Sequence, residues 1–350
     1  MIKKVNVKTK AKTSLLLVGE SIRNLKEYIP EDTILIVDAN VYNIYKDIID
    51  KNIGKEVILF EPKEDNKSIN GIIPIYHDLL EKGIDRSWFI VGIGGGITTD
   101  VVGFVASTYM RGLKFGFVST TLLGQVDASV GGKNGVNFRG YKNIVGTINQ
   151  PEFVICDIEM LNTLPREELI NGFAEIIKYA LIADRDLFDY LRLNCEKAKN
   201  LNQDVISHIV ERCVRIKADI VSRDEKESYE RRKLNFGHTI GHALERITGI
   251  SHGKAISIGM KIETEISELL LGFSKGDTFE VIEMIKKFDL PVEAEFDIDL
   301  IIDNIKKDKK KETDFINLVL LEEIGRSKIK KISFHELKRV LNDLRQFAIS

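Results

Sequence analysis

Three of the six histidines, His238, His242 and His252, fall close together, and their spacing suits metal chemistry. In the run LNFGHTIGHALE, His238 and His242 stand at i and i+4, on one face of a helix. Imidazoles so placed can share a divalent cation, or one can bind the cation while the other faces a substrate. His252 follows the turn Thr248-Gly249-Ile250, again beside a glycine. Glu175 offers a carboxylate from the apolar run NGFAEIIKYAL, where a buried charge needs a partner. One carboxylate and two imidazoles with an open position are a known set for catalytic zinc. The competing explanation is a group of hydrogen-bonded core histidines. His77, His208 and His335 lie on amphipathic patterns without such company and are given no role.

A second constellation suits phosphate. In WFIVGIGGGITTD a strand runs into Gly94-Gly95-Gly96 and then into a helical stretch. Glycines let a backbone approach a phosphate closely, and a helix start offers N–H groups and a positive dipole end. The spacing is not the GxGxxG dinucleotide fingerprint, so a tight turn without a ligand stays open. Upstream, Glu64 and Lys67 occupy a polar loop that could reach a ribose or base, or could be solvated surface.

Cations recur where the pattern is otherwise apolar or glycine-rich. Arg111 ends VVGFVASTYMRG; Lys133 follows two glycines in QVDASVGGKNGVN, which also holds Asp127; Lys142 and Asn143 open KNIVG. Lys178 stands at i+3 from Glu175, and Lys217, Arg231 and Arg232 precede Asn235. Singly, each is an ordinary surface charge. Beside a metal and a dinucleotide they describe a pocket for a multiply anionic, polyhydroxylated substrate.

Elements must hold these groups in place. Residues 1–150 alternate apolar runs (Ser14–Gly19, Thr33–Asp38, Val57–Phe60, Trp88–Ile93, Lys114–Ser119) with amphipathic stretches (Ser21–Ile29, Ile69–Lys82). That grammar predicts an α/β domain with a Rossmann-like parallel sheet, whose ligands bind at the carboxyl ends of the strands. After Pro151 one strand, Phe153–Asp157, precedes helical periods over Arg166–Ala183, Val205–Ser222, Asn235–Ile247, Ala255–Leu271 and Thr278–Phe288. A short strand at Ile316–Leu321 and a helix at Phe334–Phe347 close the chain. The expectation is an NAD-binding domain at 1–150 and a mainly α-helical metal- and substrate-binding domain at 151–350, with the site in the cleft between them.

Composition narrows the classes. A length of 350 residues suits about two domains. With 43% apolar and 30% charged residues the chain reads as globular. A net charge of -2 gives no basic field for nucleic acid or membrane. The N-terminal apolar run is too short for a signal peptide, and no run approaches the roughly 18 apolar residues of a membrane span. Three widely spaced cysteines (Cys156, Cys195, Cys213) suggest reduced thiols and a cytoplasmic location.

Taken together, GGGITTDVVGFVASTYMRG, STTLLGQVDASVGGKNGVN, YKNIVG, TLPREELINGFAEIIKYALI and LNFGHTIGHALE closely resemble the 3-dehydroquinate synthase family of sugar-phosphate cyclases. The likeness runs from about Gly94 to Gly259 and continues weakly into KKDKKK and VLLEEIG. It implies a homodimeric two-domain enzyme of the shikimate pathway that uses NAD and Zn2+ or Co2+ and acts on a heptulosonate phosphate. Residue by residue, it makes Glu175, His238 and His252 the metal ligands and turns His242 towards the substrate. It puts Glu64, Lys67, Gly94, Gly95, Gly96, Asp100, Thr120, Thr121, Lys133 and Lys142 on NAD. It puts Asp127, Lys133, Asn143, Lys178, Lys217, Arg231, Asn235 and Lys309 on substrate, with Arg111 reaching the phosphate across a dimer interface.

Two positions depart from the family: Lys254 stands where a glutamate is usual, and Thr99 where a glycine is common. The turn between the ligand histidines is also short. The rivals are cyclases for sedoheptulose 7-phosphate, glucose 6-phosphate (2-deoxy-scyllo-inosose synthase) or the amino variant of the heptulosonate, and, further off, a metal-dependent polyol dehydrogenase.

Overall fold

A computed structural model describes residues 2–10, 12–308 and 314–347, apart from the side chains of Asn52, Asp308, Gln346 and Phe347. The strands of the first part are β1 (Lys3–Lys8), β2 (Thr13–Val18), β3 (Thr33–Asp38), β4 (Glu56–Phe60), β5 (Phe89–Gly94) and β6 (Lys114–Ser119). A hairpin, β7 (Lys133–Phe138) and β8 (Tyr141–Ile148), precedes β9 (Phe153–Cys156). Helices α1 (Ala39–Asp47), α2 (Ile69–Glu81) and α3 (Gly96–Thr108) alternate with the strands. Beyond β9 come α4 (Arg166–Ala183), α5 (Arg185–Lys199), α6 (Gln203–Arg223), α7 (His238–Thr248) and α8 (His252–Leu271). Helices α9 (Lys275–Lys287) and α10 (Ile298–Asp308), the hairpin β10 (Phe315–Glu323) and β11 (Arg326–Ser333), and α11 (Phe334–Phe347) follow.

By its internal contacts the chain divides into two compact units. The first comprises Met1–Leu169 and Gln203–Lys226, the second Ile170–Asn202 and Glu227–Ser350. The sequence set its boundary at 150, where the pattern changes, whereas this division falls inside α4 and returns α6 to the sheet. The reason is β1, whose Lys3 pairs with Glu211 of α6 at 2.7 Å and whose Lys8 N–H donates to Ser222 of α6 at 3.2 Å.

In the first unit seven strands form one sheet in the order β1-β2-β9-β6-β5-β3-β4. Only the β1–β2 pair is antiparallel; the rest are parallel, as the Rossmann-like expectation requires. Strands β3 and β5 are buried throughout, which explains their unbroken apolar sequences. After β3 the chain adds β4 on one side and then β5 on the other. The order therefore reverses between β3 and β5, and ligands of such sheets bind outside the carboxyl ends at that point. The glycine turn leaves β5 there.

The second unit is mainly helical, as expected, with β10–β11 as an added hairpin. Its core joins Ile240, Leu244, Ile258, Ile262 and Ile266 of α7 and α8 to Ile301, Leu318, Leu320 and Leu337. Helix α7 begins at His238, not at Asn235 as the periodicity suggested. A 3-10 turn over Glu230–Asn235 precedes it, and Gly237, at φ 76, breaks the path. Likewise α8 begins at His252 rather than Ala255, after the left-handed Gly249.

Candidate active site

In the first unit Gly95 is the N-cap of α3 and Gly96 its first residue. None of Gly94, Gly95 and Gly96 takes a positive φ; their constraint is space. A Cβ on Gly94 would lie 2.6 Å from Thr98 Cβ, and one on Gly95 2.7 Å from Thr121 Cγ2. Thr120 N–H donates to the Gly94 carbonyl at 3.0 Å, tying the carboxyl ends of β5 and β6 together. Thr121 Oγ1 accepts the Gly124 N–H at 3.0 Å. No side chain caps α3, and an uncapped helix start against a tight turn suits a phosphate.

Four of the expected residues form an alternating charge cluster beside this turn. Lys67, buried, contacts Asp100 at 2.5 Å from Nζ to Oδ2. Lys217, also buried, donates from Nζ to the carbonyl and Oδ1 of Asp127, both at 2.6 Å. Burial raises the Asp100 carboxyl above the ordinary range; Lys67 and Lys217 pull it down, and Asp127 pushes it up. The polar loop thus splits: Lys67 is interior and Glu64 exposed.

Glu64 joins a second group through a residue the sequence did not flag. Asn137 of β7 donates from Nδ2 to Glu64 Oε1 at 2.8 Å, and its Oδ1 accepts the Asn143 N–H at 2.9 Å. Asn143 sits in the left-handed region at φ 52, and Lys142 Nζ lies 3.9 Å from Glu64 Oε1. Asn137 lies within VGGKNGVN, but nothing in its spacing marks its partners. Lys133 is exposed at the start of β7. Arg111 is exposed too, in a turn where Met110, Arg111 and Gly112 all have positive φ. Lys309 lies outside the described residues.

In the second unit Glu175 is fully buried on α4, in an ion pair with the buried Lys178 one turn on. His238 Nε2 lies 3.3 Å and His252 Nε2 3.5 Å from Glu175 Oε1. The His238 and His242 rings are 5.1 Å apart, and those of His242 and His252 5.8 Å. His238 Nδ1 is 3.0 Å from the Phe236 carbonyl, which can only accept, so Nδ1 carries a proton and, in the neutral ring, Nε2 a lone pair. His252 Nδ1 faces Glu245 Oε2 at 3.4 Å in the same manner. Glu245, at i+3 from His242 in GHALE, has no signal in its spacing that marks it as a partner of His252.

Two imidazole lone pairs and a carboxylate then converge, which is repulsive unless a cation or extra protons lie among them. Neither oxygen of Glu175 receives a hydrogen bond of good geometry, although both are buried. The donor atoms of Glu175, His238 and His252 lie within 4.8 Å of one another, a span a single divalent cation can bridge. Despite burial, Lys178 and His238 hold the Glu175 carboxyl well below the ordinary range. Burial opposes charge on His252, but Glu175 and Glu245 outweigh it and raise its pKa to about 9. One carboxylate and two oriented imidazoles fit zinc or cobalt.

Around this cluster Asn235 Nδ2 donates to Glu227 Oε1 at 2.7 Å, and Arg231 is buried. Asn171 Oδ1 accepts the Gly253 N–H at 3.0 Å, fixing the start of α8. Lys254 lies half-buried in that first turn, where the helix dipole disfavours a cation.

Known proteins are similar to this chain in sequence and in fold. Residues 57–171 match the family model for the 3-dehydroquinate synthase N-terminal domain, and residues 172–311 that for the C-terminal domain. A 3-dehydroquinate synthase of Thermodesulfovibrio yellowstonii is 41% identical, over 94% of this chain and 94% of its own length. That of Pyrococcus abyssi is 40% identical, over 92% of this chain and 96% of its own. Among solved structures, 2-epi-5-epi-valiolone synthase from Streptomyces hygroscopicus, with NAD+ and Zn2+ bound, superposes with a TM-score of 0.86 at 24% identity, covering 95% of this chain and 96% of that one. A 2-deoxy-scyllo-inosose synthase complexed with carbaglucose-6-phosphate, NAD+ and Co2+ gives 0.83 at 25%, covering 97% and 100%. A probable glycerol dehydrogenase from Sinorhizobium meliloti gives 0.67 at 15%, covering 93% and 94%. With both family models matched in tandem and relatives aligned over nearly the whole length, the chain belongs to the 3-dehydroquinate synthase family.

Proposed function

We propose that the chain converts 3-deoxy-D-arabino-heptulosonate 7-phosphate to 3-dehydroquinate and phosphate, as a carbon–oxygen lyase of the shikimate pathway. The observation that carries this reading is the convergence of Glu175, His238 and His252 in a chain about 40% identical to 3-dehydroquinate synthases. A 2-deoxy-scyllo-inosose synthase complexed with carbaglucose-6-phosphate stands lower, at 25% identity.

In this reading Glu175, His238 and His252 hold Zn2+ or Co2+, and the Gly94–Gly96 turn, Thr120, Thr121, Lys142, Glu64, Lys67 and Asp100 hold NAD. Held by these residues, the cation would supply Lewis-acid polarisation of a hydroxyl and NAD+ a reversible hydride acceptor. The chain's own groups do the rest. Lys67 pulls the Asp100 carboxyl back against the rise that burial causes, and its oxygens are placed to accept hydrogen bonds from a ribose. Lys178, Lys217 and Arg231 supply buried positive charge for a carboxylate, a phosphate and developing oxyanions. His242, beside both ligand rings, faces the substrate; Asn235, Asp127, Lys133 and Asn143 bind its polar groups, and Arg111 its phosphate.

The chain is read as a cytoplasmic homodimer with no nucleic-acid or membrane partner. No described helix is long and apolar enough to cross a membrane. The described cysteines are free thiols, all buried. Strand β8 pairs only with β7 among the described residues and exposes Tyr141, Ile144 and Ile148, an edge on which a second copy could seat. Sedimentation at micromolar concentration tests the dimer; a monomer contradicts it. Phosphate release from the heptulosonate phosphate, sedoheptulose 7-phosphate and glucose 6-phosphate, measured in parallel, tests the substrate. Turnover of either of the latter two with none of the first would contradict the reading.

A further inference from the structure

Glu263 is a fully buried carboxylate on α8, and its Oε2 accepts the Gly237 N–H at 2.8 Å. Gly237 is the N-cap of α7 and directly precedes His238; a glycine has no side chain with which to cap. Helix α8 supplies the acceptor that the cap residue lacks. A carboxylate at a helix start lies at the favourable end of its dipole, which offsets part of the cost of burying it.

The same peptide is pinned from a second direction. A Cβ on Gly259, one turn before Glu263, would lie 2.0 Å from the Gly237 carbonyl oxygen. Gly237 itself has φ 76, with Met260 Cγ 2.5 Å and Ile256 O 2.9 Å from where its Cβ would stand. One residue earlier, the Phe236 carbonyl orients the His238 ring through Nδ1. The segment Phe236–Gly237 thus sets the ring, while Glu263 and Gly259 set the segment.

We propose that Glu263 is a positioning residue for His238, acting through the Gly237 backbone, so that its acceptor oxygen sets cation affinity. The inference rests on His238 being a metal ligand. The metal-stripped chain and its variants are titrated with Co2+ by calorimetry, with the cobalt absorption spectrum recorded and folding checked by thermal melting. Glu263→Gln keeps an acceptor and is expected to bind cobalt as the unaltered chain does. Glu263→Leu, similar in bulk without the acceptor, is expected to lose about 10–100-fold in affinity and to shift the spectrum. If the leucine variant does not fold, Gly259→Ala makes the same test by displacing the Gly237 carbonyl. Equal cobalt affinity in folded leucine and glutamine variants overturns the proposal. So does failure of both Glu263→Leu and Gly259→Ala to fold, which would make the contact one of packing alone. No cobalt binding by the unaltered chain would instead remove the metal-site reading on which the inference stands.

Discussion

His238 Nε2 lies 3.3 Å from Glu175 Oε1 while its Nδ1 faces the Phe236 carbonyl at 3.0 Å, so in the neutral ring Nε2 turns a lone pair towards the carboxylate. That pairing of acceptor with acceptor is what a cation resolves, and it makes the metal centre testable independently of turnover.

Glu175→Gln and His252→Ala each remove one donor of the set. Each is expected to cut metal affinity by more than the roughly 10–100-fold that loss of an outer hydrogen-bond partner costs. Metal content by atomic emission after dialysis checks this. Full occupancy in both variants would show that the ligands lie elsewhere.

The Lys67–Asp100 pair predicts a pH dependence. Burial raises the Asp100 carboxyl and Lys67 pulls it back, so Lys67→Met raises it further. A folded-state pKa above the unfolded one means that the folded chain keeps a proton the unfolded chain has lost. Stability then falls as pH rises from the unfolded value, about 3.9, through the folded one. Lys67→Met should therefore cost little near that lower limit and up to about 3–5 kcal/mol once Asp100 is forced to ionise. Thermal melts of both proteins across pH check it; a loss independent of pH would contradict it.

The glycine turn was legible as a phosphate-binding shape but not for the reason it needs glycine. Gly95→Ala puts a Cβ 2.7 Å from Thr121 Cγ2 and is expected to cost about 1–3 kcal/mol and to weaken NAD binding. Thr121→Ser removes that methyl group while keeping the hydroxyl that accepts the Gly124 N–H. The double variant should recover most of the loss, a coupling that a double-mutant cycle in melting and in NAD titration reads directly. Additive losses would mean that the turn is constrained by something other than this contact.

Asn137→Ala removes one side chain that links Glu64 to the left-handed Asn143. Because Glu64 and Asn143 are exposed and Asn137 is half-buried, stability should change by only about 0.5–1.5 kcal/mol. The larger effect is expected in KM for substrate and in NAD affinity. Unchanged kinetics with a stability loss would assign Asn137 to the hairpin alone.

Much of the frame was readable from the residues. The buried parallel strands are apolar runs, and β3 and β6 begin and end where the pattern placed them. Strand β1, KKVNVK, escaped because it is an edge strand that buries only Val5 and Val7. The β7–β8 hairpin escaped because its glycines, asparagines and exposed outer face carry neither a 2.0 nor a 3.6 period. Helix α7 was drawn three residues long at its start, since periodicity cannot see the positive φ of Gly237. In the site, Glu175 and Lys178 were legible because they are helical neighbours. The pairing of Lys67 with Asp100, and of Asn137 with Glu64, depends on strand order and was not.

A metal- and NAD-dependent cyclase of this family is expected to be redox-neutral over a full turnover. The most direct test follows phosphate and NADH together while the metal-loaded chain, with NAD+, acts on the heptulosonate phosphate. One phosphate is expected to be released per substrate consumed, with no net NADH. NADH accumulating in step with substrate loss, or substrate consumed without phosphate, would contradict it and point to a polyol dehydrogenase on the same fold.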